Sequence, residues 1–158
     1  MIQTARCVLR PLQPNDLELV VALYTSEEVR RFLGGPVSEE VARSSFSALL
    51  KSSEYYWVVR TKDNSAIGTV SLGTHHDGMD TEVSYQVLPQ WWGRGYAAEV
   101  MEAILAYARL ELKLPRVVAE TQSANAASRR LLERLGMRLE GTVERFGSEQ
   151  AIYVTDTL

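Results

Sequence analysis

The feature that most constrains this 158-residue chain is the segment Pro89-Gln90-Trp91-Trp92-Gly93-Arg94-Gly95-Tyr96, which joins a strand pattern to a helix pattern. In residues 81–88, Val83, Tyr85 and Val87 fall on one face and Glu82, Ser84 and Gln86 on the other. That alternation is the signature of a strand with one buried face. After the segment, Ala97, Val100, Met101, Ile104, Leu105, Ala108 and Leu112 recur at helical spacing, and the stripe ends before Pro115. The first turn of such a helix leaves its N–H groups unpaired and carries a partial positive charge. Two glycines let backbone approach a ligand closely, so the junction suits a pyrophosphate. A plain glycine-rich helix cap is the alternative, and the glycines alone do not decide between them.

The rest of the chain supplies the layers. Residues 6–10 read as a short strand ending at Pro11. Leu17, Val20, Val21 and Tyr24 form a helical stripe, and Ser38 caps a second helix with Ala42, Ser45, Phe46 and Leu49 inward. Residues 55–61, 67–74 and 81–88 read as three strands of an antiparallel meander. Residues 117–121 form a further strand. Asn125 caps a helix bearing Leu131, Leu132 and Leu135, and Gly136 suits the left-handed position behind it. Late strands are expected near 138–145 and 151–157. The passage from 81 to 121 is long enough for a parallel crossover, so the expectation is one α/β (α+β) domain over 1–158, a mixed sheet with helices on both faces.

Composition narrows the function classes. The chain is 46% hydrophobic and 23% charged with net charge -3, which excludes a disordered tail and disfavours a general nucleic-acid binder. No apolar run reaches the ~18 residues of a membrane span. The N-terminus lacks the apolar stretch of a signal peptide, and one cysteine makes no intrachain disulfide, so a cytoplasmic location is expected. Cys7 reads as a small buried hydrophobe. His75-His76-Asp77 has metal-ligand residue types, but neighbours in an extended segment point apart; a solvated loop and no metal are expected.

Gly93-Arg94-Gly95-Tyr96-Ala97-Ala98 also fits the dinucleotide pattern G-x-G-x-x-A, with Glu120 where a ribose-binding acid would stand. The alternating strand before it, the four residues between Leu88 and Gly93, and the single clear helix after residue 121 oppose that reading.

The stretch Gln90-Trp91-Trp92-Gly93-Arg94-Gly95-Tyr96-Ala97 resembles the acetyl-CoA motif [QR]-x-x-G-x-[GA] of the GNAT superfamily of N-acetyltransferases. Arg6 to Leu12 with Asp16, then Ala66-Ile67-Gly68, then Asn125-x-x-Ser128 running through Leu135-Gly136-Met137 to Leu139-Glu140-Gly141, resemble its RimJ/RimL-like branch. The match spans roughly residues 6 to 145 in order. It implies a mostly antiparallel sheet with one splayed parallel pair, and direct transfer of acetyl from acetyl-CoA to a primary amine, a protein α-amine or a small-molecule amine. The pantetheine arm would pair with backbone at positions matching Gln86, Val87 and Leu88, as a ligand adds to a strand. The pyrophosphate would rest on Gly93, Arg94, Gly95, Tyr96, Ala97 and Ala98, chiefly through backbone. Asn125 and Ser128 match positions facing pantetheine and thiol. Arg129 or Arg130 would meet the 3′-phosphate; a solvated helix face is the plainer reading of both. Members of this family often pair, which implies a homodimer.

The chemistry needs a base for the amine, an N–H for the carbonyl oxygen and an acid for the thiolate. The candidates are Glu82 as base, with Glu144 as second choice; the N–H near Leu88; and Ser128 as acid, with Tyr153 behind it. One of Trp91 and Trp92 is expected under the loop and the other at the cleft rim. Acceptor pockets are expected from loops 26–37 and 75–80, where Glu27 and Glu28 attract a cation or merely cap a helix. Two other readings remain: an acyl-CoA sensor without turnover, and a nicotinamide-dependent oxidoreductase.

Overall fold

A computed structural model describes residues 1–155; residues 156 and 157, the expected end of the last strand, lie outside the described residues. Among the described residues the sheet has eight strands in the order β1-β2-β3-β4-β5-β6-β8-β7. These are β1 (Ile2–Gln3), β2 (Cys7–Pro11), β3 (Tyr55–Thr61), β4 (Ala66–Thr74), β5 (Thr81–Val87), β6 (Val117–Gln122), β7 (Arg138–Arg145) and β8 (Ser148–Val154). Every neighbouring pair is antiparallel except β5 and β6. The helices are α1 (Leu17–Tyr24), α2 (Glu27–Arg30), α3 (Glu39–Lys51), α4 (Tyr96–Leu110) and α5 (Ala126–Arg134). The expected mixed sheet with one parallel pair is therefore present.

Alternation along the strands divides the core. Trp57 and Val59 of β3, with Val70, Leu72 and Val83, pack on Val100, Met101, Ile104 and Ala108 of α4 and on Leu132 of α5. Val58 turns the other way, onto Leu19 and Leu23 of α1. Cys7 is fully buried on the α4 side, as a small hydrophobe. The deepest positions of α1 are Leu19, Val20 and Leu23, whereas the expected stripe was Leu17, Val20, Val21 and Tyr24. The helix lies between α3 and β4, so more than one of its faces is covered and a single stripe does not describe it.

Caps fix the helix ends. Ser26, Ser38 and Asn125 accept the N–H of Val29, Val41 and Ser128, respectively. Gly136 closes α5 at φ 87°, the left-handed conformation expected of it. Two short elements escaped the sequence patterns: β1, two residues long, and α2, one turn with Glu27 and Glu28 at its start and Arg30 at its end. Among the described residues no helix is long and apolar enough to cross a membrane.

Candidate active site

The site grows from a fault in the sheet. The parallel ladder between β5 and β6 consists of Thr81↔Val117 and Glu82↔Val118, and it stops there. β5 remains paired with β4 along its whole length, and β6 with β8. Leu88 donates its N–H to Ile67 at 2.8 Å, which sets the phase of the β4–β5 ladder. Antiparallel pairs alternate between bonded and non-bonded, so Gln86 and Leu88 are committed to β4. The backbone groups of Tyr85 and Val87 face away from β4, into the gap where β6 has diverged. The Leu88 N–H itself is occupied, and the N–H groups near it that face the gap are those of Tyr85 and Val87; the expectation corrected is that a pantetheine arm pairs with backbone at Gln86 and Leu88, since both are committed to β4.

At the end of this gap the chain makes a 3-10 turn at Pro89–Trp91 and enters α4. Gly93 and Gly95 have φ of 76° and 80°, and Gly95 is the residue that caps α4. L-residues avoid this left-handed region, which is why glycine stands at both positions. The N–H groups of Tyr96, Ala97 and Ala98 start the helix without intrahelical acceptors. Trp91 packs edge-on against Tyr96, with the Arg94 guanidinium 5.0 Å from the Trp91 ring centre. Trp92 is half exposed and donates its indole N–H to the Val87 carbonyl at 2.7 Å. One tryptophan supports the loop and the other stands at the edge of the gap.

Across the gap α5 brings Ser128. Its backbone N–H is held by the Asn125 side chain at 3.1 Å, and its buried Oγ accepts the Tyr85 hydroxyl at 3.3 Å. Because Oγ accepts, the Ser128 proton is free to be donated. Tyr85 was read only as a core position of an alternating strand; its hydroxyl reaches Ser128 because its side chain projects onto the face that α4 and α5 cover. Burial pushes the Tyr85 phenol up.

On the opposite face of β5 stand Glu82 and Gln86. Burial raises the Glu82 carboxyl above its ordinary value, against the partly compensating charge of His75. The Gln86 side-chain oxygen is buried without a hydrogen-bond partner among the described residues. Beside them lies an ionic cluster. His75 is 7% exposed, not in a solvated loop as expected, and its Nε2 lies 2.9 Å from Glu120 Oε1. Its Nδ1 is 3.4 Å from Asp77, too poorly aligned for a hydrogen bond. Burial disfavours the imidazolium, but Glu120 and Asp77 outweigh it and raise the His75 pKa. Arg145 clamps Glu120 through Nε at 3.1 Å and Nη2 at 3.2 Å.

Several residues have other work. Glu120, the would-be ribose acid, has both oxygens engaged by Arg145 and His75, which removes the basis of the dinucleotide reading. Tyr153 is fully buried and donates to Glu133 at 2.8 Å while accepting from Arg129 at 3.0 Å, so it is no acid for a thiolate. Arg129 also donates to the Ser123 carbonyl and is half-buried, so it is tied into the fold and is not on the solvated helix face expected, whereas Arg130 is exposed. Glu144 lies on the exposed edge strand β7 opposite Glu149, away from Glu82 and Ser128.

Comparison with known proteins bears on this arrangement. Residues 6–138 match the model of the family described as "Acetyltransferase (GNAT) domain". The uncharacterized N-acetyltransferase YoaA of Bacillus subtilis (strain 168) is 28% identical over 156 residues, covering 92% of this chain and 87% of that protein. A GNAT-family acetyltransferase from Bacillus anthracis superposes with a TM-score of 0.85 at 24% identity, over 97% of this chain and 96% of that one. The spermidine N-acetyltransferase of Vibrio cholerae, solved with CoA and spermine, superposes with a TM-score of 0.79 at 21% identity, over 94% and 92%. The last two likenesses are of fold.

Proposed function

Since the chain belongs to the GNAT family of acetyltransferases, we propose that it transfers acetyl from acetyl-CoA directly to a primary amine held in the gap between β5 and β6. The observation that carries this reading is the early end of the β5–β6 ladder, which leaves the Tyr85 backbone groups and the Val87 N–H facing a slot that runs into the Gly95 cap of α4. The residues fit the cosubstrate. An amide-bearing arm adds to unpaired strand backbone, and a pyrophosphate suits the N–H groups of residues 94–98.

Acetyl-CoA, when bound, supplies a thioester carbon open to attack by a neutral amine. Ammonium groups dominate at neutral pH, so Glu82 takes the amine proton, and its raised pKa places it nearer that task. The Tyr85 N–H donates to the carbonyl oxygen as negative charge develops on it. A carbon–nitrogen bond forms as the carbon–sulfur bond breaks. Ser128 protonates the departing sulfur, Tyr85, bonded to Ser128 Oγ, passes it a replacement proton, and the second proton that the nitrogen sheds on becoming an amide restores Tyr85 through solvent, while Glu82 releases the first to solvent. The acceptor is a protein α-amine, as the RimJ/RimL-like motifs suggest, or a small amine, as for the Vibrio cholerae spermidine N-acetyltransferase of the same fold.

Ser128→Ala is expected to lower kcat about 100-fold, the usual scale of a lost proton donor, and to leave KM for acetyl-CoA nearly unchanged. An unaltered kcat would return Ser128 to a purely structural role. Glu82→Gln is expected to lose activity on a similar scale, about 100-fold, and to remove the rise of rate with pH. The sign follows from the base: only ionised Glu82 accepts the proton, so wild-type rate climbs as pH passes upward through its raised pKa. A wild-type pH profile in the Gln variant would assign the base elsewhere. The reading as a whole is tested by thiol release from acetyl-CoA across a panel of amines; binding without turnover of any of them would make the protein a sensor.

A further inference from the structure

The hairpin joining β7 to β8 has a loop of two residues, Phe146 and Gly147, closed by the Arg145↔Ser148 pair. Both have positive φ, 57° and 76°. This turn favours asparagine or glycine first, and a bulky residue there is strained. Phe146 is nonetheless 73% exposed, so core packing does not account for it. Strain kept at an exposed position points to a use for that side chain. Its ring lies 5.4 Å from that of His76, and the same 75–80 loop carries Met79, 90% exposed. Phe146 follows Arg145, which clamps Glu120 beside Glu82. Rings therefore run from the hairpin tip through His76 to His75, whose charge acts on the proposed base.

Carboxylates outnumber cations behind those rings, because Arg116 is shared between Asp80 and Glu140 and His75 between Glu120 and Asp77. Glu120 is held by Arg145 and His75, and Asp80 is chelated by Arg116 at 2.9 and 2.8 Å. Asp77 accepts the N–H groups of Met79 and Asp80. In this cluster Glu82 alone carries no ion pair among the described residues.

Building on the transferase reading, we infer that the acceptor is a primary amine borne on an apolar or aromatic body, which packs on Phe146, His76 and Met79 while its nitrogen reaches Glu82. The chemistry is common to an arylalkylamine and to the α-amine of a peptide with an apolar first residue.

The test is acetylation kinetics with 2-phenylethylamine, a peptide beginning with phenylalanine, ethylamine and spermidine, on the wild type and on Phe146→Asn. Asparagine suits the turn, so this variant is expected to melt at or above the wild-type temperature, and a loss of activity is not a loss of fold. For the wild type, kcat/KM is expected to be at least about tenfold higher for an aromatic acceptor than for spermidine, and the two aromatic arms separate the small amine from the peptide. In Phe146→Asn that advantage is expected to fall about tenfold, through KM, with a smaller loss for ethylamine. Spermidine as the preferred acceptor, or an aromatic preference untouched by Phe146→Asn, would overturn the inference and leave the transferase reading standing. Acetylation of none of the four by a protein that binds acetyl-CoA would overturn both.

Discussion

Gly95→Val is expected to give a folded protein that no longer binds acetyl-CoA measurably. A Cβ on Gly95 would meet only the Arg6 guanidinium, at 3.4 Å, so the free protein has room for the start of a side chain. The left-handed φ of 80° is strained for a β-branched residue, at about 1–3 kcal/mol, which lowers stability without dismantling the sheet. The larger effect falls on the ligand. The valine methyls would occupy the space over the first turn of α4, where phosphate oxygens must approach the N–H groups. Losing two charge-assisted hydrogen bonds at roughly 1.5–3 kcal/mol each weakens binding on the order of 100-fold or more. Circular dichroism with calorimetric titration checks both halves. Wild-type affinity in a folded Gly95→Val protein would remove the pyrophosphate from this helix end.

The second large effect is on stability. Asp16 is 2% exposed and lies between two arginines: Arg10 grips it with two bonds, at 2.9 and 2.8 Å, and Arg60 stands 3.5 Å away. The Gln13 N–H also donates to it. This knot ties β2 and β3 to the entry of α1, the helix that covers the acceptor face of the sheet. Asp16→Ala leaves Arg10 and Arg60 half-buried without their partner. Breaking such a buried pair costs about 3–5 kcal/mol, which for a chain of this length lowers Tm by roughly 6–20 °C. Burial raises the Asp16 pKa, but Arg10 and the Gln13 N–H outweigh it and hold the carboxyl below its usual value. For a depressed carboxyl, the stabilisation is present above the unfolded-state pKa and is lost as pH falls through the folded one. Thermal melts from pH 7 down to pH 3 should therefore bring the wild type toward the variant. A constant gap in Tm across that range would assign the effect to packing instead of charge.

What could be read ahead of the structure follows from how local each signal is. The alternation of residues 81–88, the glycines at 93 and 95, the Asn125 cap and Gly136 act within a few residues of themselves, and each stands as expected. The features missed depend on distant partners. His75 looks like a loop residue until β6 supplies Glu120 and the end of β7 supplies Arg145. Tyr153 looks like a free hydroxyl until α5 brings Arg129 and Glu133 against it. The Leu88 N–H is spent because the β4–β5 phase extends one residue past the strand, a matter of register that composition does not carry. The positive φ of Phe146 was the one distant feature with a local clue, since Phe146-Gly147 stands where a two-residue hairpin turn would prefer Asn-Gly.

The account rests on acetyl-CoA lying along β5 with its pyrophosphate at the start of α4. Isothermal titration of the wild-type protein with acetyl-CoA, with NADH in a parallel run, tests this most directly. The prediction is saturable binding of acetyl-CoA with Kd on the order of micromolar and no heat from NADH beyond dilution. A folded protein that leaves acetyl-CoA unbound, or that takes up NADH in its place, would contradict it.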